Sequence, residues 1–185
     1  MYDSFNPVRP LPLTVATSFL VIEGTLQTRL QRLTDVLNDP NTEHLILLDA
    51  TFMEVESRRV VAGPSLAQVQ LDDVLFIHTT GNTESGGERV PKKPLRASVL
   101  VGPFTIEGEV HLAFEAELNA ALDGVTGRFL PITNARYWAS AAAEAPNLAD
   151  LIAVNHARAH ISLAPDAEWN PEAQLSDAAD ASNPW

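Results

Sequence analysis

His156 and His160 stand four residues apart in His156-Ala157-Arg158-Ala159-His160. At that spacing two imidazoles share one helix face and can hold zinc. Here the flanks read as strand and turn, and no glutamate completes an H-E-x-x-H motif. His78, the histidine at the corresponding place in the first half, has no second ligand beside it. No metal site is expected. Glu23 and Glu107 each precede a glycine, and a carboxylate pair of that kind can serve acid–base work. On an alternating strand beside a buried isoleucine, both should point outward as exposed strand residues. Asp73 and Asp150 precede the last strand of each half, where aspartate caps or turns a loop through backbone hydrogen bonds. The same account covers Asp49 and Asn134. Ser65 lacks a G-x-S-x-G context, and neither G-x-G-x-x-G nor G-x4-G-K-[ST] is present. Ser85-Gly86-Gly87 reads as a linker. No catalytic residue, metal ligand or cofactor site is therefore assigned.

The elements that hold these residues repeat. Val15-Ala16-Thr17 and Ile22-Glu23-Gly24 are echoed by Val99-Leu100-Val101 and Ile106-Glu107-Gly108, 84 residues on. At an offset of 85, Leu33, Leu37, Leu45 and Asp49-Ala50 return as Leu118, Leu122, Leu130 and Asn134-Ala135. A third block, Leu71–Ile77, matches Leu148–Val154 at an offset of 77. Ordered blocks of this kind point to a tandem duplication.

Each unit opens with two strands or one bent strand, over 11–28 and 97–112. Leu30, Leu33, Val36 and Leu37 carry a helical stripe, ended by Pro40. Phe114, Leu118, Ala121 and Leu122 repeat it, ended by Gly124. The spacing predicts helices over 30–38 and 114–123. Strands follow at 45–55 and 129–138. The run Leu45-Ile46-Leu47-Leu48 suggests a strand covered on both faces. Loops at 56–69 and 139–147 lead to closing strands at 74–80 and 151–155, with a further short strand at 160–163. The expected fold is α+β: two tandem, pseudo-symmetric β-β-α-β-β units, as small antiparallel sheets or partly open barrels. Unit 1 spans 11–80, a Gly/Pro linker 81–95, unit 2 96–163, and an acidic tail 164–185.

The 185 residues carry 12 Lys and Arg against 24 Asp and Glu, a net charge of -12. That charge repels phosphate backbones, so no nucleic-acid partner is expected. The absence of cysteine excludes disulfides and thiolate chemistry. The first residues lack a basic segment followed by an apolar run, so no secretory signal is read. No stretch has the length of a membrane span. A cytoplasmic protein is expected.

The motifs Thr-x4-Ile-x-Gly, Arg32-Leu33-Thr34-Asp35-Val36-Leu37-Asn38, and Val154-Asn155 with His160-Ile161 resemble a family of small uncharacterised bacterial domains. Its members carry an R-L-S-D-x-L-N helix and a closing V-N-x-x-x-I strand. The likeness covers about 11–80 and 96–163. The second copy departs at the helix, where Glu117-Leu118-Asn119-Ala120-Ala121-Leu122-Asp123 stands. The closing strand bears a lesser likeness to Sm-type small β-barrels. The resemblance implies common ancestry and says almost nothing of function, since the family has no established activity.

The functional expectation is a non-enzymatic structural or protein-interaction module that self-associates into a homo-oligomer or larger assembly. Contact residues are expected at the aromatic ends, Tyr2, Phe5, Trp169 and Trp185. The basic band holding Arg58, Arg59, Lys92 and Lys93 should face the acidic tail. The alternative is a small-molecule-binding or enzymatic protein with a site between the repeats, from Glu23, Glu107, His111 and His156.

Overall fold

The computed structural model describes residues 7–30, 32–79, 92–113, 127–139 and 145–163. They form one antiparallel sheet system. The strands are β1 (Arg9–Thr17), β2 (Leu20–Thr28), β3 (His44–Glu54), β4 (Val60–Ala62), β5 (Leu66–Gln70) and β6 (Val74–Thr79). The second half contributes β7 (Lys92–Val101), β8 (Phe104–Ala113), β9 (Phe129–Ala139), β10 (Asn147–Asn155) and β11 (Ala159–Leu163).

The α+β expectation is overturned. The described residues are nearly all strand, and their one α-helical segment, α1, is five residues long, Leu33–Leu37. Leu33, Val36 and Leu37 are buried, but Leu30 is 43% exposed. The stripe is thus little more than one turn that plugs the core, not a layer covering a sheet. The second expected helix, 114–123, lies outside the described residues.

Hydrogen-bonded neighbours run β5-β3-β2-β1-β6 in the first half and β10-β9-β8-β7-β11 in the second. The registers recur. Leu45 opposite Val69 returns as Leu130 opposite Val154. Ile22 opposite Phe52 returns as Ile106 opposite Tyr137. Val15 opposite Ile77 returns as Val99 opposite Ile161. Every shift is 84 or 85 residues.

These pairings also correct the third sequence block. β10 occupies the place of β4 and β5, and β11 the place of β6, so Leu71–Ile77 and Leu148–Val154 are not counterparts. The expected loop 56–69 contains two strands, and the expected linker 81–95 ends inside β7. Asp150 lies in β10, whereas Asp73 sits in the β5–β6 turn, its N–H donating to the Gln70 carbonyl at 3.2 Å.

Each half has the same bulge. Gly24 faces Asp49-Ala50, and Gly108 faces Asn134-Ala135, two residues against one. Asp49 and Asn134 take φ of 49° and 50°, the left-handed region that Asp and Asn tolerate. They are bulge residues within strands, not turn residues. A bulge bends and twists its strand, which lets long strands wrap two cores.

One core gathers Leu13, Val15, Leu37, Leu45, Leu47, Leu71 and Ile77. The other gathers Val99, Ile106, Val110, Ile132, Ile152 and Val154. The strand covered on both faces is β6, not β3. Val74 and Ile77 enter the first core, and Leu75 and Phe76 the second. In β3, Leu45 and Leu47 are buried while Ile46 is 38% exposed. No helix among the described residues is long and apolar enough to cross a membrane.

Candidate functional site

The two halves meet at a seam where β6 pairs with β10: Ile152 opposite His78, Ala153 opposite Ile77, and Val154 opposite Phe76. Antiparallel neighbours alternate faces, so each seam strand serves both cores. Phe76 crosses into the second core and meets Phe104 edge-on at 5.0 Å and Tyr137 at 5.1 Å between ring centres. Phe129 and Ala153 cross the other way, into the first core. Leu75 is an extra residue bulged out of the β1–β6 register. Gly102, in the turn after β7, takes a φ of 57° that favours glycine, and a Cβ there would come within 2.5 Å of the end of the Leu75 side chain.

Polar groups clamp the same seam. The Asn38 side chain, just after α1, accepts from the Phe129 N–H at 2.7 Å and donates to its carbonyl at 3.0 Å. It thereby mimics a backbone partner for the first residue of β9. Asn155 donates to the Val74 carbonyl at 3.0 Å, and Arg158 to the Asp72 carbonyl at 2.6 Å. His78 and Tyr137 bond across the seam at 2.9 Å. The other His78 nitrogen lies 3.4 Å from the Thr79 carbonyl, which can only accept. Nδ1 therefore carries the proton, and Nε2 accepts from the tyrosine hydroxyl. Burial holds the His78 pKa below its ordinary 6.5, against the opposing pull of the Thr79 carbonyl and Glu23. Burial raises that of Tyr137.

The crevice beside Tyr137, lined by Val55, Arg58, Phe104 and Trp138, measures about 20 Å³, room for about one water. A larger open cleft of about 270 Å³ lies over the β8–β9 bulge, between Arg96, Glu107, Glu109, Asn134 and Arg136. Arg136 pairs with Glu107, and Asn134 donates to Glu109 at 2.9 Å.

Glu107 corrects an expectation. It is 8% exposed and ion-paired, not an outward strand residue. Glu23, opposite Thr51 where Glu107 faces Arg136, is exposed. The pairing partner, not the strand pattern, decides which carboxylate is drawn in.

The four residues of the between-repeat reading do not converge. Glu23 lies on β2 and Glu107 on β8. His111 bonds Thr133 at 2.7 Å, and His156 opens the turn between β10 and β11. No hydrogen bond or ion pair joins any two of them among the described residues. His160 is exposed on β11. Among the described residues no three His, Asp or Glu side chains form a metal-binding group.

Of the expected contact residues, Arg58 is exposed, and Arg59 pairs with Glu54 at 2.9 Å. Lys92 and Lys93 open β7. Tyr2, Phe5, Trp169 and Trp185 lie outside the described residues, as does the acidic tail. The seam was missed by sequence reading, although Phe76 in an unbroken apolar run, Val74–Ile77, is its signal.

No protein-family model, curated protein or solved structure matches the chain.

Proposed function

We propose that the chain is a non-enzymatic structural module that associates with copies of itself, built by tandem duplication of one β unit. One observation carries this reading. The two halves share pairing registers at offsets of 84 and 85, and they are joined by strand addition across β6 and β10. A unit that already recognises its like through a strand edge is suited to oligomerise. The reading includes a homo-oligomeric partner and a cytoplasmic location; a cysteine-free chain is compatible with a reducing compartment.

Light scattering on a size-exclusion column tests the reading. A mass that is a multiple of 20.0 kDa and rises with loading is expected. A constant 20.0 kDa species at every concentration overturns it.

A further inference from the structure

The internal seam uses β6 from the first half and β10 from the second. By register, the counterpart of β6 is β11, and the counterpart of β10 is β4 with β5. Those counterparts do not pair with each other. Among the described residues β11 pairs only with β7, and β5 only with β3. Among the described residues each presents an open edge, a template for another strand. The two edges are complementary halves of a junction that this chain already makes once.

We infer that β11 of one copy adds to β5 of a second copy, in the register of the internal seam. This deepens the self-association reading and rests on it. Shifting the seam register predicts Ala67 opposite Ser162, Gln68 opposite Ile161, and Val69 opposite His160.

The surroundings fit a second copy on both sides. Ala16 is 1% exposed because the second half covers it; its counterpart Leu100 on β7 is 53% exposed. Leu20 and Phe52 are the counterparts of Phe104 and Tyr137, the pair that holds Phe76. Both are only partly buried against the first core. Ile46 and Leu66 lie exposed on the outer face of β3 and β5. The corresponding face of β9 and β10 carries Phe129 and Ala153 into the first core.

The outer junction is more polar than the seam. His160 replaces Phe76, Gln68 replaces Ala153, and no residue of β11 matches the bulged Leu75. The intermolecular contact is accordingly weaker than the internal one and concentration-dependent. It is head-to-tail, since β11 and β5 are different surfaces. Its repetition closes a ring or extends a filament.

The native chain has no cysteine, so single cysteines report the contact cleanly. Gln68→Cys and Ile161→Cys variants are prepared separately, mixed and oxidised. Directly opposed residues on paired strands lie within disulfide reach. The expected result is a covalent dimer on a non-reducing gel from this mixture. A mixture of Gln68→Cys with Ser162→Cys, which points to the other face, should give little. Light scattering of the native chain accompanies the test. Oligomers without the 68–161 dimer overturn the edge assignment and leave self-association standing. A monomer at every concentration, without the dimer, overturns both.

Discussion

The seam and the open edges occupy corresponding places in the two halves, yet they differ in chemistry. At the seam Phe76 and Ala153 are fully covered, and Asn38, Asn155 and Arg158 hydrogen-bond across it. At the edges the matching positions hold His160 and Gln68, both exposed. The contrast teaches that strand order alone does not decide how tightly two units bind. The side chains that cross between cores decide it, because buried aromatic area supplies most of the free energy.

The sharpest way to break the comparison is to truncate one residue on each side. Phe76→Ala should cost about 3–5 kcal/mol in chemical denaturation, as expected for a buried aromatic. His160→Ala should stay within about 0.5 kcal/mol in dilute solution, as expected for an exposed position. Equal losses would mean that the edges are held as firmly as the seam.

Glycines at the two bulges sharpen the same contrast. A Cβ on Gly108 would stand 2.7 Å from the Thr133 carbonyl oxygen and 2.6 Å from the Ile132 side chain. On Gly24 the nearest atoms are 3.1 and 3.3 Å away. Gly108→Ala should therefore destabilise by about 1–3 kcal/mol through overpacking, and Gly24→Ala by clearly less. The reverse order in thermal unfolding would show that the bulges relax in a way their packing does not anticipate.

Asn38→Ala removes a donor and an acceptor from the Phe129 backbone. A loss of about 1–3 kcal/mol is expected from groups left without partners. A neutral result in urea titration would show that the seam is held by its apolar residues alone.

The smallest effect is on pH. His78 has a depressed pKa in the folded chain, so the unfolded chain binds its proton first as pH falls. The stability this group contributes is complete above 6.5 and is lost as pH drops through the lowered folded value. Glu23 acts electrostatically on both His78 and Tyr137, and Arg58 on Tyr137. Denaturation at neutral and mildly acidic pH should show the loss in the native chain and a smaller one in His78→Gln. An identical slope in both would place the pH dependence elsewhere.

Most strand positions were legible, but the fold class was not, because the expected helix layer is a single five-residue turn. The echo of Asp49-Ala50 in Asn134-Ala135 reads as turn chemistry, but these residues form the bulges opposite Gly24 and Gly108, since Asp and Asn tolerate a left-handed position inside a strand as well as in a turn. The leucine stripe over 30–38 misled, since a helical period over two turns does not distinguish a helix layer from a plug. The two strands inside the loop expected at 56–69, β4 and β5, are too short to show a decisive period. The third block misled for a physical reason. Residues 74–77 and 151–154 are both apolar runs because β6 and β10 lie side by side with both faces covered. Their likeness reflects a shared environment, not a shared position. The site was less legible than the fold. A seam is made by residues far apart in sequence, and Glu107 is drawn in by Arg136, which no local pattern announces.

Amide hydrogen exchange at low and high protein concentration tests the central claim most directly, because it needs no substitution. Protection of β5 (Leu66–Gln70) and β11 (Ala159–Leu163) should rise with concentration, while that of β6 and β10 stays constant and high. Protection of β5 and β11 that does not change with concentration, in a chain whose mass is shown to grow, would contradict the account.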